Sequence, residues 1–300
     1  MATATTGVSA AAPQARDTSR DAAEKRPSGR AFNVVAGIVL GVFAVIWLIP
    51  SLFALKASLS SNGDAALGAG TVISNLSPTL GSYSTLLASG DIWDWYLSSF
   101  LTAGVTTVLA VLFASMAGYA LSKLRFPGRR LVFAAMLLGI MVPPQVLVVP
   151  IFQMLDGMGL LNTYWAVIFP QVPTVIAVFV FKQFFDGLPK EFDEAARIDG
   201  AGYWKIYRRI VMPLSGPIIA AMAIITFVGT WNNLILPLFV VSNPELMTIP
   251  VGLATVQGSF GQRYADIQAS AILGALPLII LYMVFQRRII EGVAGSGLKG

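Results

Sequence analysis

Six long apolar runs constrain this chain more than any other feature of its sequence. Ala31–Leu55, Tyr96–Leu124, Leu131–Leu155, Tyr164–Phe185, Leu214–Val241 and Ile267–Phe285 contain no Asp or Glu. Their only bases are Lys123 and Lys182, near the ends of the second and fourth runs, where a long stem can reach the interface. About 20 apolar residues in helical form cross the roughly 30 Å bilayer core. Composition agrees: charged residues make up 12% of the 300, about half the usual share, and 56% are hydrophobic. A soluble fold of this size could not cover its surface with so few charges. The expected class is an all-α membrane protein with six transmembrane helices.

Residues 1–30 are rich in Ala, Thr and Ser and read as a disordered tail. The first apolar run is too long and too far from the start for a signal peptide, so it reads as a retained span. The chain has no Cys and no His. That excludes disulfides, thiolate nucleophiles, Cys/His metal sites and His-based catalysis. With no acids in the spans either, an intramembrane enzyme lacks an evident catalytic set.

The bases fix an expected orientation. Eighteen of the twenty Lys and Arg fall in the N-terminal tail, at the second-to-third and fourth-to-fifth connections with their flanks, and at the C-terminus. Lys56 and Arg263 are the two on the other side. Basic residues accumulate on the cytoplasmic side, so both termini are expected there. The net charge of +5 then reflects membrane orientation, and nucleic-acid binding has no support.

One connection concentrates charge. Residues Leu188–Pro213 carry nine of the chain's 35 charged residues. Pro189 suits a helix start, Glu191, Asp193 and Glu194 suit its N-terminal dipole end, and Gly200 suits the left-handed position that closes it. Phe192, Ala195, Ala196 and Asp199 share one face, and Asp193 and Arg197 form an i, i+4 pair. A second short helix is expected from about Gly202 to Ile210, with the apolar stripe Tyr203, Ile206, Tyr207 and Ile210, and Pro213 would open the next span. The outcome is a helix–Gly–helix elbow at the membrane surface. A solvated loop with surface ion pairs is the alternative.

Glu194-Ala195-Ala196, three residues, Gly200, nine residues, Ile210, one residue and Met212-Pro213 resemble the EAA loop of ABC-importer permeases, with Met212 in place of Leu. Gly118–Gly128, Trp231-Asn232 with Leu236-Pro237, Thr248–Leu253 and Leu298–Gly300 resemble successive regions of the carbohydrate-importer permeases, the maltose-type G-subunit family. The resemblance covers residues 30–300. It implies the type I permease fold, a second homologous permease, a cytoplasmic ABC ATPase dimer and an extracytoplasmic solute-binding protein. It also implies that Glu194, Ala195, Ala196, Gly200, Ile210 and Pro213 belong to a coupling helix docked on the ATPase. No phosphate-binding Gly-x4-Gly-Lys-Ser/Thr motif occurs. No cofactor or metal is expected on this chain, and ATP and Mg would be used by the partner ATPase.

Polar groups within the spans are the candidates for a substrate path. Trp231, Asn232 and Asn233 in the fifth run, Gln171 between Pro170 and Pro173 in the fourth, and Gln145 after Pro143-Pro144 in the third need partners or water. Amides beside an indole suit a sugar, whereas helix–helix hydrogen bonding is the structural alternative. Pro143-Pro144 should bend the third run. An ion-coupled secondary transporter is the rival function, although proton-coupled transporters usually need intramembrane carboxylates.

Overall fold

The computed structural model describes residues 29–74, 77–260 and 263–297. Residues 1–28, most of the expected tail, and the Leu298–Gly300 match lie outside them. The chain divides into two units, Met1–Leu52 and Phe53–Gly300. The first unit contains most of helix α1 (Arg30–Ser58), whose side chains from Phe32 to Leu52 are almost all exposed. A helix that is apolar all round and unburied by its own chain needs lipid or another protein as its surroundings.

Every regular element among the second unit's described residues is helical. Short helices α2 (Asn62–Ala66), α3 (Ala69–Ser74) and α4 (Gly81–Ala88) fill the first connection. Then come α5 (Asp91–Lys123), α6 (Arg129–Ile140), α7 (Val148–Gly157), α8 (Tyr164–Ile168) and α9 (Val175–Asp186). The elbow follows as α10 (Lys190–Ile198), α11 (Tyr203–Ile206), a π-turn (Tyr207–Val211) and α12 (Met212–Leu214). The remainder is α13 (Gly216–Trp231), α14 (Ile235–Val240), α15 (Ile249–Phe260) and α16 (Tyr264–Gly297).

Among the described residues, three helices are long and apolar enough to cross a membrane: Phe32–Ser58, Asp91–Lys123 and Tyr264–Gln286. Three bent pairs bring the number of candidate spans to as many as six. Arg129–Ile140 turns by 94° onto Pro144–Gly157, Tyr164–Gln171 by 43° onto Val175–Asp186, and Tyr203–Leu214 by 79° onto Gly216–Trp231. The breaks fall where the backbone cannot keep its ladder. Pro143 is extended, with Pro144 starting a 3-10 turn, while Pro170 precedes the second break and Pro173 lies within it.

Two expectations need correction. The fifth run, Leu214–Val241, is not one rod, because α13 ends at Trp231 and α14 begins at Ile235. Nor does Pro213 open that span. The helix instead continues through it to Leu214, after the preceding turn widens so that the Met212 N–H donates to the Tyr207 carbonyl. The bend comes at Ser215, and Gly216-Pro217 starts α13, where a missing N–H is harmless. Helix α16 runs on to Gly297.

Helix α5 is the central post. It packs against α9 and α13 along its length. Gly118 makes the α9 contact close: a Cβ there would lie 2.8 Å from the Phe181 Cβ. At the start of α5, the Trp95 indole donates to the Pro244 carbonyl at 3.1 Å, and Ser99 Oγ accepts from the Ile249 N–H at 2.8 Å. At its far end lie the 125–130 turn and the elbow. A 33-residue helix is about 50 Å long, so its two ends gather two separate sets of connections.

Candidate functional site: a surface elbow and an amide-lined cleft

The elbow is held to the body by a small set of contacts. Helix α10 begins with Glu191 and Asp193 in its first turn and ends beside Arg197, an arrangement that complements its dipole. Ala196 is its one buried residue and belongs to a core cluster with Tyr119, Leu121, Phe185, Ile206 and Tyr207. Its small side chain therefore lets α10 approach its own body, which separates Ala196 from Phe192, Ala195 and Asp199, the residues expected to share its face. Phe192, Glu194, Ala195 and Asp199 are exposed, and Ile198 is 86% exposed. Gly200 has φ +72, which reverses the chain after α10. No atom lies within 4 Å of where its Cβ would be, so conformation alone selects glycine there.

In the second arm Ile206, Tyr207 and Val211 are buried, whereas Tyr203 is exposed and Ile210 is half-buried. The expected stripe is re-registered because the π-turn rotates the later residues. Pro213 is exposed.

The expected Asp193–Arg197 pair does not form. Asp193 accepts from Lys123 at 2.8 Å, and the Arg197 guanidinium lies over the Tyr203 ring, 4.8 Å from its centroid. Lys123 projects from the end of α5, and both members of its pair are largely shielded. An intrahelical pair on an exposed face offers much less. The Tyr119 hydroxyl donates to the Tyr203 carbonyl, and the Ser115 and Tyr207 hydroxyls lie 2.9 Å apart. Asp186 is engaged by Lys182 and Ser122. Lys123, Asp186, Asp193, Arg197 and Tyr203 line a charged cleft of about 590 Å³, to which Arg125 and Arg129 of the 125–130 turn also contribute. Lys123 was expected to reach the interface, and its role as a partner of the elbow was not legible. No local spacing links it to a carboxylate 70 positions later.

The second feature lies where the broken helices meet. Gln145, Gln171 and Asn233 line one cleft of about 170 Å³, together with Pro144, Pro170 and Leu236. Asn233 Nδ2 donates to Gln171 Oε1 at 2.8 Å, and Gln171 Nε2 donates to the Val167 carbonyl at 2.8 Å. This is the helix–helix amide pair expected as the structural alternative, and it leaves further N–H and C=O capacity facing the cleft. Gln145 is exposed, and its side-chain amide has no hydrogen-bond partner among the described residues. Among the described residues, no ionisable side chain lines this cleft.

The other two path candidates fall elsewhere. Trp231 is 2% exposed, edge-on to Phe100, and its indole N–H donates to the Gly274 carbonyl. It is a packing residue at the α13–α16 contact, with no free face for a sugar. Asn232 is exposed and donates to the Val228 carbonyl of its own helix. It closes the end of α13.

Broken spans around a polar cleft and a surface elbow define a helical membrane permease. Residues 110–289 match the family of binding-protein-dependent transport system inner membrane components, and the chain belongs to that family. The arabinooligosaccharides transport system permease protein AraQ of Halalkalibacterium halodurans is 37% identical, over 87% of this chain and 92% of its own. The diacetylchitobiose uptake system permease protein NgcG of Streptomyces coelicolor is 31% identical over 91% and 90%. Among solved structures, a chain of a bacterial ABC transporter involved in the import of the acidic polysaccharide alginate superposes with a TM-score of 0.76. It is 22% identical, covering 87% of this chain and 97% of that one. The fold is thus the type I ABC-importer permease fold, and the chain is a multi-pass membrane component of a transport system.

Proposed function

We propose that this chain is one of two permeases of an ATP-driven sugar or oligosaccharide importer. The observation that carries the reading is the elbow. Glu194, Ala195 and the apolar Phe192 and Ile198 face outward on a helix whose inner side is anchored by Ala196 and whose exit is fixed by Gly200. Exposed apolar groups beside acids, presented by a rigid mount, suit a protein partner better than water. That partner is a cytoplasmic ABC ATPase dimer, which binds the ATP and Mg and hydrolyses the nucleotide. Glu194, Ala195, Gly200, Ile210 and Pro213 make or shape its contact, while Ala196 sets the closeness of α10 to the body.

The elbow and the basic 125–130 turn share one cleft, and the charge rule assigns that end of α5 to the cytoplasm. Both termini lie on that side, in the bacterial inner membrane. The opposite end then faces a solute-binding protein. A second homologous permease completes the path.

The amide cleft is this chain's share of that path. Gln145, Gln171 and Asn233 offer mixed donors and acceptors without charge, which matches sugar hydroxyls. Relatives named for arabinooligosaccharide and diacetylchitobiose transport support a carbohydrate cargo. Trp231 and Asn232 are not assigned to the path.

The test reconstitutes both permeases, the ATPase and the binding protein in proteoliposomes. The binding protein is first screened for the sugar that it retains. Uptake of that sugar should require ATP and the ATPase subunit. Uptake by this chain alone on an ion gradient would favour a secondary transporter instead.

A further inference from the structure

Helix α5 is bonded at one end to the elbow and at the other to the segment 244–252, in each case by side chains and not by chain continuity. The neighbours of the elbow in the chain are separated from it by turns: Gly187–Pro189 intervenes after α9, and the bend at Ser215 precedes α13. Helix α5 has no such break. Lys123 holds Asp193, Tyr119 holds the Tyr203 carbonyl, and Ser115 meets Tyr207, so three successive turns of one helix grip both arms of the elbow. At the far end Trp95 and Ser98 hold the Pro244 and Glu245 carbonyls, and Ser99 holds the Ile249 N–H. Gly252 lies flat against the Trp95 ring, where any Cβ would collide.

We propose that Lys123 and Asp193 are the positioning residues of a rigid joint that makes α5 follow the elbow. A displacement imposed on the elbow then reaches the 244–252 segment through a single unbroken helix. The proposal rests on the coupling reading above. The chemistry suits a joint. The Lys123 and Asp193 side chains are only 11% and 16% exposed, so water and salt weaken their attraction less than that of a surface pair. Losing either partner strands a shielded charge. The neighbouring carboxylate, Asp186, is already engaged by Lys182 and Ser122, so it does not compete for Lys123.

The test uses the whole reconstituted importer and reads sugar taken up per ATP hydrolysed, with assembly judged by copurification of the ATPase. Lys123→Ala and Asp193→Ala should each lower that ratio at least five-fold. The exchange of charges, Lys123→Asp with Asp193→Lys, should restore it to within about two-fold of the parent, and Lys123→Arg should stay near the parent. Because the chain has no cysteine, Lys123→Cys with Asp193→Cys can be bridged by a short bismaleimide at those two positions alone within it, before the other subunits are added. That variant should be uncoupled before bridging and recover after it. Unchanged ratios in the single variants, an exchange that rescues nothing, or bridging that leaves transport uncoupled would each overturn the joint. Should Glu194→Lys and Gly200→Val uncouple the importer while these variants do not, the joint fails and the elbow assignment stands. If none of them uncouples it, the elbow assignment fails as well.

Discussion

Single residues carry much of the architecture, through three different constraints. Gly200 is constrained by backbone angle. At φ +72 a side chain costs about 1–2 kcal/mol, more when β-branched, so Gly200→Val should redirect the elbow without blocking membrane insertion. Gly118 is constrained by space. Gly118→Val would force α5 and α9 apart and should cost about 1–3 kcal/mol, seen as a lower unfolding temperature of the detergent-purified protein. Asp266 is constrained by charge. It is fully buried, pairs with Arg263 at 2.7 Å and accepts from Asn62 Nδ2, which ties the start of α16 to the first connection. Asp266→Ala leaves the Asn62 amide without its acceptor while the exposed Arg263 turns to water, so it should cost about 1–3 kcal/mol, and limited proteolysis should show a loosened 59–95 connection. In the amide cleft, Gln171→Leu combined with Asn233→Leu preserves approximate volume but removes the hydrogen-bonding groups. Uptake should fall about ten-fold while the protein still assembles with its partners. Unchanged uptake would return the pair to a purely structural role.

At the scale of elements, existence was legible and shape was not. Acid-free apolar runs separated by charged turns read directly as spans, since a charge in lipid is costly wherever it sits along the helix. The break after Met141 was legible too, because two successive prolines cannot donate. The break between Trp231 and Ile235 was not. Asn-Asn-Leu is compatible with helix, and only the Asn232 and Asn233 contacts to Val228 and Gln171 reveal what satisfies the ends there. The elbow divides in the same way. Gly200 announced its turn, whereas the π-turn at Tyr207–Val211 depends on how Pro213 is accommodated and carries no local signal. The i, i+4 pairing of Asp193 with Arg197 was the natural expectation from one helix. It lost to Lys123 because a partner on a neighbouring helix is better shielded. Spacing along the chain finds neighbours on one helix and misses those supplied by another.

For the whole molecule, scarcity of charge and its placement express one design. Helix α5 separates a basic end, which carries the elbow, from an end where the 244–252 segment and the Asn62–Asp266 link gather. Between them the broken helices leave an uncharged, amide-lined cleft, a wall suited to a neutral polyol. In the proposed function the elbow transmits the work of a separate ATPase to this chain. The most direct measurement is sugar imported per ATP hydrolysed by the reconstituted importer, comparing the parent with Gly200→Val and Glu194→Lys at matched assembly. Hydrolysis should continue while the ratio falls at least five-fold in both variants. A ratio equal to that of the parent in both would contradict it.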